Sequence, residues 1–170
     1  VTGKVFGIER VPVVKGQSMP AYDPRAVKGM GVTYATTPMG ADHTAGNLIG
    51  ESLSGKIDPL VSEGQVALSR NKQLAVAGID ALGLCLFTAA AASGDILARL
   101  VNAKLGTSLT PQDLENRWRR IVEVELEFNR KAGFTRKDDR LPDFFYREPL
   151  PPHNKVVQIT GDALDRTFDF

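Results

Sequence analysis

The sequence predicts an all-α fold: a multihelical domain with long ordered loops. Three observations predict it. Thr110-Pro111-Gln112-Asp113 is a strong helix start, with a Thr cap, Pro at the first helical position and an acid at the third. Behind it Leu114, Trp118, Ile121 and Val122 recur at i, i+4, i+7 and i+8, which makes one apolar stripe. Leu82 to Ala92 is an alanine-rich apolar run that reads as a buried helix. It is too short to cross a bilayer, which takes about 20 apolar residues.

The remaining elements follow in order. Residues 1–20 read as linker-like, punctuated by Pro12, Gly16 and Pro20. Asp23-Pro24 starts a helix by cap and first-position logic, and the helix runs to about Thr36. Gly29 and Gly31 lie inside it, each costing about 1 kcal/mol against alanine. Close approach of another backbone or a ligand is what such glycines offer. Thr37-Pro38-Met39-Gly40 ends the helix, and residues 40–60 are loop-rich. Ser62 to Gly78 reads as a helix, and Leu84 to Ala92 as a second, buried one. Ser93-Gly94-Asp95 is a break, and Ile96 to Leu105 a short helix stopped by Gly106. The Thr110 helix reaches about Lys131 and stops at Gly133. Residues 134–170 read as an extended tail, Pro-rich at Leu141-Pro142 and Glu148-Pro149-Leu150-Pro151-Pro152, with one short strand or helix after Val156.

At 170 residues the chain can hold a real core. A net charge of +1 gives no electrostatic case for nucleic acid or an anionic membrane. One cysteine excludes an internal disulfide framework and suits a reducing compartment, and no signal peptide opens the chain. The expectation is a cytoplasmic protein without a membrane span. A start at Val1, without methionine and already in mid-stride, suggests a piece of a longer protein.

Asp80-Ala81-Leu82-Gly83-Leu84-Cys85 holds a carboxylate, a glycine and the sole thiol within six residues. A carboxylate can read adjacent N–H donors of a polar ring. Glycine lets a cofactor come close to the backbone, and a thiolate binds soft metals. One cysteine cannot hold a metal cluster alone. The plain alternative is a C-capped helix followed by a small buried cysteine. Gly50-Glu51-Ser52-Leu53-Ser54-Gly55-Lys56 has phosphate-loop spacing, but Ile57 replaces the Ser or Thr that would hold magnesium, so a glycine-rich loop is the better account. Arg117, Arg119, Arg120, Glu123, Glu125 and Glu127 mix both signs and read as a solvated helix face. His153, beside Pro151-Pro152, reads as an exposed loop residue.

A string of segments carries a resemblance. It begins with Lys15-Gly16-Gln17-Ser18-Met19-Pro20-Ala21-Tyr22-Asp23-Pro24-Arg25 and Lys28-Gly29-Met30-Gly31. Tyr34-Ala35-Thr36-Thr37, Gly40-Ala41-Asp42-His43-Thr44-Ala45-Gly46, Asp80 to Cys85, Leu141-Pro142 and Glu148-Pro149-Leu150-Pro151 follow. Together they resemble the C-terminal region of the tungsten-containing aldehyde:ferredoxin oxidoreductases. The matches cover most of the chain, and chance does not place all of them in order.

The resemblance implies a helical C-terminal domain of a larger oxidoreductase spanning residues 1–170. The parent holds tungsten, or molybdenum, through the dithiolenes of two pterins, beside a [4Fe-4S] cluster. By the same resemblance Asp80, Gly83, Leu84 and Cys85 contact one pterin, and Cys85 is the cluster's fourth ligand. His43 lies near the metal and donates a proton or hydrogen bond; a loop carbonyl that satisfies it is the alternative. Asp42 either positions His43 or is solvated. Arg25 or Lys28 could neutralise a pterin phosphate. The partners implied are the remaining domains, ferredoxin and an aldehyde, and the isolated domain is expected to be inactive, with no cofactor bound. A stand-alone helical binding or scaffolding module without cofactor is the rival reading.

Overall fold

The structure is a computed structural model that describes residues 2–89 and 92–170. Val1, where the sequence reading begins, lies outside the described residues, as do Ala90 and Ala91 of the expected second helix. The chain divides into two compact units, Val1–Gln73 with Gly133–Phe170, and Leu74–Ala132. The described elements are almost all helical, with one two-stranded sheet. No helix among the described residues is long and apolar enough to cross a membrane.

The first unit is built around helix α2 (Lys28–Thr36), every residue of which is buried. A helix enclosed on all sides has no polar face to show. Gly29 and Gly31 explain how neighbours come so close. A Cβ on Gly29 would collide with Leu48 and Gln65, and one on Gly31 would press on Pro24 and Leu141. Side chains, rather than a ligand, take the space the glycines leave. Met30, Val32, Tyr34 and Ala35 form a core with Val14, Ala41, Leu48, Leu141, Phe145, Val157, Ile159 and Leu164.

The N-terminal segment carries α1 (Thr2–Phe6) and a hairpin, β1 (Val13–Val14) with β2 (Gln17–Ser18). The pairs are Val13 with Ser18 and Val14 with Gln17. Its two-residue turn has positive φ at Lys15 (49°) and Gly16 (81°), the geometry that matches strand twist. Where the sequence reading starts α2 at Pro24, the structure starts it at Lys28. Asp23 does cap, but it caps a turn: it accepts from the Arg25 backbone N–H at 2.8 Å and from the Arg25 guanidinium.

Thr44–Gly46 forms a 3₁₀ turn and α3 covers Ile49–Leu53, so half of the phosphate-loop look-alike is helical. Helix α4 (Gln65–Ala81) follows and runs across the boundary between the units. The tail is no loose strap over the surface. It contains a 3₁₀ turn at Arg136–Asp138, α8 (Phe144–Arg147) and α9 (Gly161–Asp165), and it supplies Leu141, Phe145, Val157, Ile159 and Leu164 to the core.

The second unit holds the end of α4, then α5 (Leu86–Ala89), α6 (Gly94–Leu105) and α7 (Pro111–Lys131). Ser93 caps α6 rather than breaking the chain, accepting from the Ile96 N–H. Gly106 ends α6 at φ 66°. Thr110 and Asp113 close a reciprocal capping box on α7, as their spacing predicts. Between the two helices Asn102 grips the turn, donating to the Leu109 carbonyl at 2.9 Å and accepting from the Leu109 N–H at 2.8 Å. Leu97, Ala98, Val101 and Leu114 form the core, with Leu84 and Trp118 packed on it. One expectation is corrected: the segment at α5 is not a buried helix, since Phe87 is 92% exposed. Apolar composition shows what a run could bury, and nothing about what is present to cover it.

Candidate functional site

The Asp80–Cys85 segment is the C-terminal cap of α4. The Leu84 N–H donates to the Ile79 carbonyl at 3.2 Å, and the Gly83 N–H to the Asp80 carbonyl at 2.9 Å. That bond pair, with Gly83 at φ 68°, is a Schellman motif. It assigns local jobs to two of the motif residues. Gly83 supplies the left-handed turn, and Leu84 anchors it on the α6–α7 core. Asp80 and Cys85 are both exposed. The plain alternative is therefore half right: the helix is C-capped, but the cysteine is not buried. A Cβ on Gly83 would meet nothing within 4 Å, so the backbone there borders open space. Upstream, the Trp118 indole lies against Gly78 so closely that a Cβ would collide with it. Glu125 of α7 is exposed, as the sequence reading expects. Partial desolvation and then the Asp80 charge push its carboxyl up. Only the fold places it within reach of Asp80's field.

His43 belongs to the first unit, in the loop between α2 and the Thr44–Gly46 turn. Its side chain is 38% exposed, and Nδ1 stands 4.0 Å from Asp42 Oδ1, beyond hydrogen-bonding range. Asp42 is occupied elsewhere. It accepts from the Thr44 N–H at 3.0 Å, the Thr44 hydroxyl and the Ala45 N–H at 3.0 Å. It shapes the loop and leaves the imidazole's nitrogens to other partners. Tyr22, which the sequence reading quoted without a role, packs against His43 with ring centroids 5.6 Å apart. Beneath them Tyr34 is fully buried, and its hydroxyl makes no hydrogen bond among the described residues. Burial raises its pKa, and the nearby Tyr22, Asp42 and Asp23 add to the rise.

The loop is tied down at both ends. The Thr33 hydroxyl donates to the Gly46 carbonyl at 3.0 Å and shares a 2.7 Å hydrogen bond with Ser69. Gln73 adds bonds to Thr36 and Ser69, both at 3.1 Å. At the other end the Gly40 N–H donates to the Thr37 carbonyl at 3.1 Å. Both basic residues suggested for a phosphate are engaged within the chain. Arg25 is held by Asp23 and the Glu148 carbonyl over the Phe145 ring, and Lys28 is buried on the Val156 carbonyl at 2.9 Å. Burial lowers the Lys28 pKa.

The family model described as aldehyde ferredoxin oxidoreductase, domains 2 & 3, matches residues 3–169. The chain belongs to the aldehyde ferredoxin oxidoreductase family. It is 38% identical to the tungsten-containing aldehyde ferredoxin oxidoreductase of Pyrococcus horikoshii over 97% of its length. The enzymes of that name from Pyrococcus furiosus and Thermococcus kodakarensis are 39% and 38% identical over 81% and 91% of the chain. The chain spans only 24–28% of the length of these relatives.

For a member of the aldehyde ferredoxin oxidoreductase family, the local chemistry at Gly83 fits a pterin edge and a shared cluster. An exposed carboxylate, an exposed thiol and a backbone bordering open space stand within one turn. Among the described residues no three His, Cys, Asp or Glu side chains are grouped to hold a metal ion.

Proposed function

We propose that this chain is part of an enzyme that oxidises an aldehyde to a carboxylic acid. Water supplies the added oxygen, and two protons and two electrons are released, the electrons leaving singly to ferredoxin. The bound group would be a tungsten or molybdenum bis-pterin with a [4Fe-4S] cluster, which supplies the two-electron oxidation and the outward electron path. Asp80 would accept hydrogen bonds from a pterin ring, with Gly83 allowing close approach and Leu84 holding the turn to its core. Cys85 would ligate the cluster. His43 would present a donor to the substrate carbonyl, its imidazole kept available by Asp42's engagement with Thr44 and Ala45 and oriented by Tyr22. These 170 residues alone would not turn over.

The observation that carries this reading is the Schellman turn, which leaves Asp80 and Cys85 outside while Gly83 and Leu84 serve the fold. The test is Cys85→Ala in the full-length enzyme. The [4Fe-4S] electron paramagnetic resonance signal and the iron content should fall together, while helix content stays. Losing a metal–sulfur bond outweighs the small packing change at an exposed site. An intact cluster signal with full ferredoxin reduction refutes the ligand role.

A further inference from the structure

The hairpin turn is anchored through the side chain of Lys15. Lys15 holds φ 49°, which non-glycine residues rarely adopt. Its side chain is only 4% exposed and reaches the C-terminal end of α2. There its ammonium donates to the Ala35 carbonyl at 2.9 Å and the Thr37 carbonyl at 2.9 Å, and it is paired with Asp139. Thr37 is the residue from which the His43 loop departs. Its carbonyl also accepts from the Gly40 N–H at 3.1 Å, and the Gly40 carbonyl accepts from the Asp42 N–H at 2.6 Å. The hairpin presses on this loop too: at Gly40 (φ 103°) a Cβ would stand 2.6 Å from the Val14 carbonyl oxygen. A chain of contacts thus runs from the Lys15 ammonium through Thr37 and Gly40 to Asp42 and His43.

We propose that Lys15, anchored by Asp139, is a positioning residue that sets the place of His43. The cation lies on carbonyls at a helix C-terminus, where positive charge is favourable. It ties the hairpin, the tail and the end of α2 at the point where the loop begins. Removing it leaves Thr37 O with the Gly40 N–H alone and loosens the loop at its first residue, while the Gly46 end stays held by Thr33. The active geometry then loosens without loss of the core. The proposal rests on the reading of His43 as the group that meets the substrate.

The experiment uses the full-length enzyme and Lys15→Met. Modification of His43 by diethyl pyrocarbonate is followed by peptide mass, with His153, exposed and outside this chain of contacts, as internal reference. His43 should react at least about threefold faster, and His153 at the parent rate. The kcat for aldehyde should fall about tenfold or more at unchanged tungsten content, with KM within about twofold, since a misplacement of about 1 Å can cost 10²-fold. Asp139→Asn keeps the lysine, frees its anchor, and should move both readouts the same way by less; it carries the test if Lys15→Met does not fold. An unchanged His43 rate in the folded variant overturns the proposal, and so does an equal rise at both histidines. If His43→Gln leaves aldehyde oxidation intact, the reading of His43 fails, and the modification rates still decide whether Lys15 holds the loop.

Discussion

Glycines and buried ions show how far single residues carry their own explanation. Gly83 and Gly106 stand at positive φ at helix ends, a role readable from sequence because it needs only the next few residues. Gly29 has no unusual φ, and its reason lies in Leu48 and Gln65, which no local pattern announces. Glu51 is the residue whose charge is best placed for a test. Burial alone would push its carboxyl up, but the hydrogen bond from Lys72 at 2.8 Å, the Glu51 backbone N–H and the charges of Lys72 and Lys56 turn the net shift downward. A carboxyl lowered in the folded state stabilises above its unfolded value, near 4.5, and that contribution is lost as pH falls through the folded value. Glu51→Gln should therefore lower the melting temperature at pH 7, by less than about 1 kcal/mol of stability for so open a pair. At about pH 3, below the ordinary carboxyl value, the deficit should be smaller. Calorimetry at the two pH values checks this, and an equal deficit at both rules out the ion pair as the cause.

Among the elements, α4 and α7 meet at Gly78 and Trp118. The Trp118 stripe is the core-facing stripe its spacing predicts, and the indole lies against Gly78, two residues before Asp80. Gly78→Ala must push the indole away, and overpacking of this kind costs about 1–3 kcal/mol. Trp118 is the chain's only tryptophan, so its emission reports the displacement directly. Gly50→Ala in α3 is the control: its Cβ meets nothing within 4 Å, and helix propensity favours alanine by up to about 1 kcal/mol. Opposite signs for the two substitutions in urea titrations are the expected result. A stable Gly78→Ala variant with unchanged emission refutes the close contact.

Over the whole molecule, the first unit is assembled from both ends of the chain. Leu141, Phe145, Val157, Ile159 and Leu164 come from the tail and complete the core around α2. Deleting residues 134–170 should therefore open that unit. Hydrogen exchange at the α2 amides should become fast and a hydrophobic dye should bind, while the α6 and α7 amides, whose core is their own, keep their protection. Continued protection of α2 in the shortened chain would show that the tail is dispensable.

Much of the helical outline was legible in the residues themselves. The capping box at Thr110, the Gly106 stop, the Lys131 end and the turn at Gly83 are determined over three or four neighbours, so they survive whatever packs on them. The ordered string of motifs likewise determined the family, and it singled out Asp80, Cys85 and His43 as candidates. Only the tertiary structure decided which groups were already spent. Arg25 and Lys28 went to carbonyls and aromatic rings, Asp42 to a turn, and Lys15 to the end of α2. It also decided that the Pro-rich tail is core and that Phe87 is bare. Caps and stripes act through adjacent residues, whereas burial and pairing depend on residues up to 138 positions apart, as Arg10 and Glu148 are.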